Sequence, residues 1–172
     1  MITTRYAQDH DLPQLLDIYN DIILTTTAVF EYRAHTLEMR QQWLETKREQ
    51  GFPVIVAEDD VEIVGFSSFG PFRNWPAYKY SVENSVYVAK HKRGNGIGQL
   101  LLAPLIHDAK QLQMHAIIAS IESTNEASLR LHKRFRFEEV AHFKQVGYKF
   151  GRWLDLKFLE LVLDTPENPL EL

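Results

Sequence analysis

The chain has 172 residues, 45% hydrophobic and 24% charged, so it can bury one core as a single globular domain. It has no cysteine, which excludes a thiol nucleophile, thiolate metal ligands and disulfide bonds. Its net charge of −4 argues against a nucleic-acid-binding surface, and no apolar run is long enough to span a membrane. We expect a soluble, unprocessed, cytoplasmic protein that binds neither nucleic acid nor membranes.

The first half of the chain predicts two helices flanked by strands. Asp11 can cap a first helix, whose apolar residues recur at helical spacing until the threonines at 25–27 end it. Thr36 can cap a second helix that ends near Gly51. Three strands are expected at Ile2 to Tyr6, Pro53 to Glu58 and Val61 to Phe69, the last two joined as a hairpin by Asp59-Asp60.

The second half predicts strands and helices in alternation, followed by a hairpin. In chain order we expect a strand at Tyr80 to Val88, a helix at Ile97 to Leu112, a strand at Ala116 to Ile121, a helix at Asn125 to Phe135, and strands at Glu138 to Tyr148 and Asp155 to Leu163. This order predicts an α+β fold, a mixed α/β sandwich with helices on both faces of one sheet. A single domain should cover residues 1–164, and residues 165–172 should form a loose tail.

A glycine-rich turn stands between the strand that ends at Val88 and the next helix. Its residues are Arg93, Gly94, Asn95, Gly96, Ile97 and Gly98. Such a turn directs bare backbone N–H groups and the positive end of a helix at one point, where a phosphate would bind. The glycine spacing does not fit a dinucleotide-binding G-x-G-x-x-G motif, and the Lys-Ser/Thr pair of a P-loop is absent. Lys90 and Lys92 would face the phosphates, although an ordinary turn with a solvated basic edge has the same pattern.

The turn resembles the R-x-x-G-x-G pyrophosphate loop of the GNAT superfamily of acyl-CoA N-acyltransferases, with Arg93, Gly96 and Gly98 at the defining positions. The predicted order of strands and helices is also similar to the fold of that superfamily. The resemblance implies that acetyl-CoA is the acyl donor and that the turn binds it together with Val86, Tyr87 and Val88. It also implies a central, mostly antiparallel sheet that is splayed at the cofactor strand, typically beside a β-bulge.

Glu83 lies on the strand before the turn, where side chains alternate between two faces. Glu83, Ser85 and Tyr87 therefore share one face, and Asn84 and Val86 share the other. A carboxylate within a sheet indicates a functional role, because burying it without a partner is energetically unfavourable. A Glu on an edge strand that faces water is the plain alternative.

A polar cluster opens the helix predicted at Asn125. Asn125 and Ser128 resemble the N-x-x-S helix start with which GNAT enzymes hold coenzyme A, and they can equally form a helix cap. Many members have a Tyr four residues beyond the Ser that protonates the departing thiolate, whereas this chain has His132 there. Arg136 also replaces the usual Gly of a G-F pair. His132, by its position, would contact the cofactor, and the acid stays open between His132, Tyr87 and water.

Four further segments resemble the phosphinothricin and methionine sulfoximine acetyltransferases of the superfamily. They begin at Thr26, Phe69, Val82 and Val146, and they match in order over nearly the whole chain. The resemblance implies a homodimer that acetylates the α-amino group of small amino-acid analogues, with Glu83 as general base. It implies substrate contacts from Phe30, Arg73, Asn74, Trp75, Tyr78, Glu83, Asn84 and Ser85, among which the Arg73 guanidinium offers a planar fork to a carboxylate, phosphinate or sulfoximine oxygen.

The expected reaction is direct attack of the substrate amine on the thioester of acetyl-CoA, without an acyl-enzyme. The absence of cysteine fits this route. We expect no metal, because the histidines show no ligand spacing. Two alternatives stay open: a peptide or protein N-terminal acetyltransferase on the same fold, and a non-catalytic sensor that binds coenzyme A.

Overall fold

Residues 1–171, which the computed structural model describes, form four α-helices and one seven-stranded sheet. The helices are α1 (Leu12–Thr25), α2 (Leu37–Glu49), α3 (Ile97–Gln111) and α4 (Glu126–Arg134). The strands are β1 (Ile2–Tyr6), β2 (Val54–Asp59), β3 (Glu62–Pro71), β4 (Ser81–Val88), β5 (Ala116–Glu122), β6 (Glu138–Lys149) and β7 (Arg152–Val162), and they lie in the order β1-β2-β3-β4-β5-β7-β6. The predicted α+β fold is confirmed, and every predicted strand and helix is present with ends that differ by a few residues.

Strand β4 separates from β5 partway along its length. β4 pairs with β3 in one unbroken antiparallel register, but it pairs in parallel with β5 only from Ser81 to Glu83. The predicted splay is confirmed. The expected bulge on β4 is wrong, because the register shift in this part of the sheet lies between β2 and β3, at Ala57 and Glu58. The gap opens instead because β5 stays paired with β7 over its whole length and so moves away from β4.

The sheet separates two hydrophobic layers. α3 packs against β2, β3 and β4 on one side, where Leu101 and Leu105 are fully buried. α1 and α2 cover the other side, where Leu15 and Leu44 belong to a second core cluster with Phe66 of β3. Each face of β4 is thus covered by different helices.

The starts of α1 and α2 differ in how they are capped. Thr36 caps α2 as predicted, since its hydroxyl accepts a hydrogen bond from the Met39 N–H at 3.2 Å. Asp11 precedes α1, but the prediction that its side chain caps this helix is wrong. Its carboxylate accepts instead from the Arg5 guanidinium at 2.7 and 2.9 Å and from the Gln8 N–H at 2.8 Å. A two-pronged bond to a charged group is stronger than a single bond to a backbone N–H.

Residues 163–171, which follow β7, form no helix or strand, yet hydrogen bonds hold them to the domain. The Thr165 hydroxyl donates to the Met114 carbonyl at 2.6 Å, and the Leu170 N–H donates to the phenol oxygen of Tyr80 at 2.9 Å. The tail is therefore less loose than predicted over residues 165–171, and Leu172 lies outside the described residues. Over that same described range, no helix has the length and apolar character needed to cross a membrane.

Candidate active site

The glycine turn leaves a row of backbone N–H groups without acceptors. Gly94 and Gly96 adopt left-handed backbone conformations with φ of +85° and +79°, which glycine tolerates best. Gly96 is the N-cap of α3, and no side chain caps the helix there. Within residues 1–171, no backbone N–H from Gly94 to Gly98 donates a hydrogen bond. These groups and the positive end of α3 can therefore bind an anion such as a pyrophosphate.

Gly98 has a different structural role from the other two glycines. A Cβ atom at Gly98 would lie 2.9 Å from Cδ2 of Leu131 on α4, whereas a Cβ at Gly94 or Gly96 would meet nothing within 4 Å. Gly98 thus allows α3 and α4 to approach each other closely. Ile97, which precedes it, is buried in the core and anchors the turn.

The basic residues beside the turn have different partners. Nε of Arg93 donates to the Val88 carbonyl at 3.1 Å, which holds Arg93 between the turn and the end of β4. Nζ of Lys92 lies 2.9 Å from Oδ2 of Asp59 and is therefore directed at the hairpin between β2 and β3. Nδ2 of Asn95 donates to the Lys92 carbonyl at 3.1 Å and so stiffens the turn. A terminal guanidinium nitrogen of Arg93 also lies 3.9 Å from Oδ2 of Asp21 on α1, so both Lys92 and Arg93 have acidic partners.

The unpaired half of β4 presents part of its backbone to the gap. Hydrogen bonds such as that from the Ala89 N–H to the Val64 carbonyl, at 2.9 Å, establish that odd-numbered residues of β4 exchange hydrogen bonds with β3. The backbone groups of even-numbered residues must point the other way, toward the space that β5 has left. Among the predicted cofactor-binding strand residues, Val86 and Val88 therefore present their N–H groups to the gap, and Tyr87 does not.

His132 is buried on the α4 side of β4 in one defined tautomer. Its Nδ1 lies 2.9 Å from the carbonyl oxygen of Ser128, and because a carbonyl only accepts, Nδ1 carries the proton. Its Nε2 accepts from Nδ2 of Asn84 at 2.9 Å. Burial lowers the pKa of His132, so the ring is neutral at pH 7. Its one N–H is already bonded to Ser128, so His132 has no free proton for a leaving thiolate, and the acid stays open between Tyr87 and water.

Asn125 at the start of α4 and Arg136 after its end each have a structural role. Oδ1 of Asn125 accepts from the Ser128 N–H at 3.2 Å, which confirms the helix cap, while contact of either residue with coenzyme A stays a prediction. At the other end, Arg136 has φ of +66°, the left-handed conformation for which glycine is usual at this position. The Phe137 N–H bonds to the His132 carbonyl at 3.2 Å and completes the helix end. Arg136 thus keeps the backbone geometry of the usual glycine, with some strain.

A pocket lies on the opposite face of β4, beneath α1 and α2. Glu83, Ser85 and Tyr87 line it together with Ser68 and Gly70 of β3. The cavity of about 80 Å³ accommodates a small polar group or a few water molecules. Glu83 is also the last residue of β4 that pairs with β5, so it stands where the gap opens. The gap at the edge of β4 and the pocket on its α1 and α2 face thus meet at Glu83.

Two cations of α2 complete this pocket. Arg40 is 3% exposed, and its guanidinium carbon lies 3.8 Å from the ring centre of Trp43 and 4.4 Å from that of Tyr19. In the described part of the chain the Arg40 side chain has no hydrogen bond or ion pair, and its buried Nε has no acceptor. Nζ of Lys47 donates to a β3 carbonyl at 2.7 Å. The pocket therefore holds two positive groups and one carboxylate, that of Glu83.

Most of the other predicted substrate-binding residues lie outside the pocket, namely Phe30, Arg73, Asn74, Trp75, Tyr78 and Asn84. Arg73 stacks on Phe72, with its guanidinium carbon 4.2 Å from the ring centre, and Trp75 beside it is 75% exposed. Asn84 and Ser85 do not form a pair toward the substrate, because neighbouring side chains on a strand point to opposite faces. The structure brings Glu83 and Ser85 together in the pocket. The substrate contacts of the other six residues stay predictions.

A comparison with protein families decides where this arrangement belongs. The sequence profile of the acetyltransferase (GNAT) domain matches residues 4–157. The chain belongs to the GNAT acetyltransferase family. The predicted resemblance is therefore confirmed over most of its length.

Individual relatives of this GNAT acetyltransferase extend the comparison. The L-methionine sulfoximine/L-methionine sulfone acetyltransferase of Pseudomonas aeruginosa is 45% identical over 159 residues, 92% of each chain. A solved acetyltransferase of Salmonella typhimurium, with acetyl-CoA as its cofactor, superposes with a TM-score of 0.96 at 40% identity and 98% coverage of both chains. A solved protein of Brucella melitensis, named ribosomal-protein-alanine N-acetyltransferase, has a TM-score of 0.91 at 49% identity and covers 93% of this chain and 99% of its own.

Sequence reasoning missed the α1 and α2 side of the pocket in this GNAT acetyltransferase. The missed residues are Tyr19, Arg40, Trp43 and Lys47. A signal was available, since Arg40, Trp43 and Lys47 recur at helical spacing next to the buried Leu44. Charged residues on the buried stripe of a helix indicate a polar site beneath it, because burying them otherwise is unfavourable.

Lys47 should make the stability of this acetyltransferase depend on pH above neutrality. Burial, with a smaller contribution from the charge of Arg40, lowers the pKa of Lys47 from 10.5 to about 8. Between these two values the unfolded chain binds more protons than the folded one, so the free energy of unfolding rises with pH. Denaturant titrations at pH 7 and pH 9.5 should show the wild type gaining stability relative to Lys47→Met. An equal difference at both pH values would contradict the lowered pKa.

Proposed function

We propose that this GNAT acetyltransferase moves the acetyl group of acetyl-CoA directly to the α-amino group of a small amino-acid-like substrate, of the methionine sulfoximine, methionine sulfone or phosphinothricin type. One observation carries the proposal. β4 separates from β5 at Glu83, with free backbone N–H groups facing the gap at its edge and a small polar pocket on its α1 and α2 face. A donor in the gap and an acceptor in the pocket can therefore meet beside Glu83. The named function of the Pseudomonas aeruginosa relative supports this substrate class.

The residues on the donor side fit coenzyme A. The N–H groups of the turn from Arg93 to Gly98 would bind the pyrophosphate, with the positive end of α3 behind them. Asn125 and Ser128 would stand beside the pantetheine arm, and His132 would hold Asn84 in place from behind. The cofactor that the Salmonella typhimurium structure contains supports acetyl-CoA as the donor.

Glu83 is the proposed general base, acting directly or through a water molecule. An α-amino group with a reference pKa near 8 is about one-tenth neutral at pH 7, so its deprotonation requires only ~1.4 kcal/mol. A positioned base supplies roughly 10²- to 10⁴-fold in rate, which covers this requirement. Holding the amine and the thioester together is the larger contribution, up to ~7 to 11 kcal/mol.

The backbone of β4 would stabilise the charge that develops on the thioester oxygen. The N–H groups of Val86 and Val88 point into the gap and are fixed there by the unbroken pairing of β4 with β3. Fixed donors of this kind stabilise an oxyanion without reorganising. The leaving thiolate, with a thiol reference pKa near 8.5, needs little assistance, and Tyr87 or water can protonate it.

The remaining predictions concern the surroundings of the site. We propose that Arg73, Asn74, Trp75 and Tyr78 contact the distal part of the substrate and that the protein is a cytoplasmic homodimer. An exposed apolar surface on the hairpin of β6 and β7, formed by Val146, Tyr148, Phe150 and Trp153, supports a dimer interface. Acetylation of phosphinothricin would confer resistance to that herbicide.

A thiol-release assay with acetyl-CoA tests the proposed function. Methionine sulfoximine, methionine sulfone and phosphinothricin should each react with a kcat/KM at least about 100-fold above that of short peptides, because the pocket is small. The likeness to the Brucella melitensis protein favours the alternative, an N-terminal acetyltransferase of proteins, and a preference for peptides would establish it. Tight binding of acetyl-CoA without turnover of any amine would instead indicate a sensor.

A further inference from the structure

Arg40 is a buried cation that the chain itself leaves without a partner. Its side chain is 3% exposed, and in residues 1–171 it has no ion pair and no hydrogen bond. Stacking against Trp43 and Tyr19 fixes the guanidinium plane but supplies no negative charge. Buried charges are normally paired, because an unpaired one is strongly unfavourable. An anion bound in the cavity that Arg40 lines would supply the missing negative charge.

The cavity restricts what that anion can be. Its volume of about 80 Å³ admits one small group, and a guanidinium offers two parallel N–H donors to a planar carboxylate. Lys47 contributes a second positive group on the same helical stripe. Glu83 lines the same cavity from β4 and carries the opposite charge. A ligand with a carboxylate and an amine on one carbon matches both ends, and an α-amino acid is such a ligand.

We propose that Arg40 binds the α-carboxylate of the acceptor and thereby makes the enzyme select amino acids over simple amines. The proposal rests on the proposed function, since it places the substrate amine at Glu83. It assigns the two ends of the acceptor to different parts of the protein. The carboxylate lies under α2, and the side-chain oxygens of a sulfoximine or phosphinate remain for the loop that contains Arg73.

The experiment compares methionine sulfone with 3-(methylsulfonyl)propylamine, which has the same side chain and amine but no carboxylate. In the wild type, kcat/KM should be at least about 30-fold higher for methionine sulfone, and Arg40→Gln should reduce this ratio to within about threefold, mainly by raising KM for methionine sulfone. For each substrate separately, the kcat/KM of the variant is divided by that of the wild type, so that the different basicities of the two amines cancel. Arg48→Gln is the matched control, because Arg48 lies on the same helix but is exposed and paired with Asp9 at 2.6 Å.

Two outcomes would overturn the proposal: a wild type that acetylates both amines equally well, or an Arg40→Gln variant that loses the same factor on both. Should circular dichroism find Arg40→Gln unfolded, Arg40→Lys keeps the charge without the two-pronged geometry, and its ratio should fall below that of the wild type; an unchanged ratio in a folded Arg40→Lys variant would then contradict the proposal. Calorimetry with methionine sulfone and its carboxamide, without acetyl-CoA, separates this proposal from the proposed function. Binding that requires the carboxylate and is lost in the Arg40 variant supports the subsite even if no acetyl transfer occurs, and equal binding of both compounds contradicts it.

Discussion

Glu83→Gln should slow acetyl transfer by about 10²- to 10⁴-fold while leaving the affinity for acetyl-CoA unchanged. Glutamine keeps the size and the hydrogen-bonding capacity of the side chain but cannot accept a proton from an ammonium group. Glu83 lies on the pocket face of β4, away from the glycine turn, so its replacement should not disturb the donor side. Single-turnover kinetics with methionine sulfone would measure the loss, and calorimetry would measure acetyl-CoA binding.

The pH profile makes this test specific. The loss should be largest near pH 7, where most of the amine is protonated, and smaller near pH 9, where solvent has already removed the proton. Glu45→Gln, an exposed carboxylate on α2, is the matched control and should behave as the wild type. A rate constant in Glu83→Gln equal to that of the wild type from pH 6 to 9 would remove Glu83 from the mechanism.

Gly96→Val should raise KM for acetyl-CoA by at least about 30-fold, with a smaller effect on KM for the amino acid. The backbone of Gly96 has φ of +79°, which a β-branched residue adopts only with strain, so the turn should relax and its N–H groups should no longer converge. Losing two hydrogen bonds to a charged phosphate costs ~3 to 6 kcal/mol of binding free energy, which is more than the stated rise in KM requires. Steady-state kinetics at saturating acceptor would measure the shift.

Gly51→Val provides the control for backbone strain. Gly51 has φ of +71° at the end of α2, and a Cβ there would meet nothing within 4 Å, as at Gly96. Both variants should therefore lose similar stability, about 1 to 2 kcal/mol, but only Gly96→Val should weaken acetyl-CoA binding. Comparable KM values for acetyl-CoA in the two variants would exclude the turn as the phosphate site.

The donor side of the site could be predicted from sequence because its chemistry is local. The N–H groups of the turn belong to consecutive residues, so the glycine spacing at 94, 96 and 98 and the apolar strand before them were sufficient. Hydrophobic periodicity likewise predicted the helices and strands, since each buries one face. The tautomer of His132 was not predictable, because it depends on Ser128 and on Asn84, which lies 48 residues away in the sequence.

The acceptor side could be predicted only in part, because it is assembled from distant elements. Glu83 was found from the strand itself, whereas Arg40 reaches the same pocket from α2 and required knowledge of how that helix packs on the sheet. The expected bulge on β4 was inferred from relatives and was wrong, because here the separation follows from the pairing of β5 with β7. Arg73 was predicted by resemblance, and it does not line the pocket.

The alternation of β4 has a consequence for how this enzyme can change over evolution. Substitutions at 85 and 87 change the lining of the pocket, while the side chains of 84, 86 and 88 lie on the other face, so under the proposed function acceptor specificity can change while acetyl-CoA binding is kept. Insertion of a single residue would have the opposite result, since it would exchange the two sets of side chains at once. We therefore expect natural variants to tolerate many replacements along this segment and almost no change in its length.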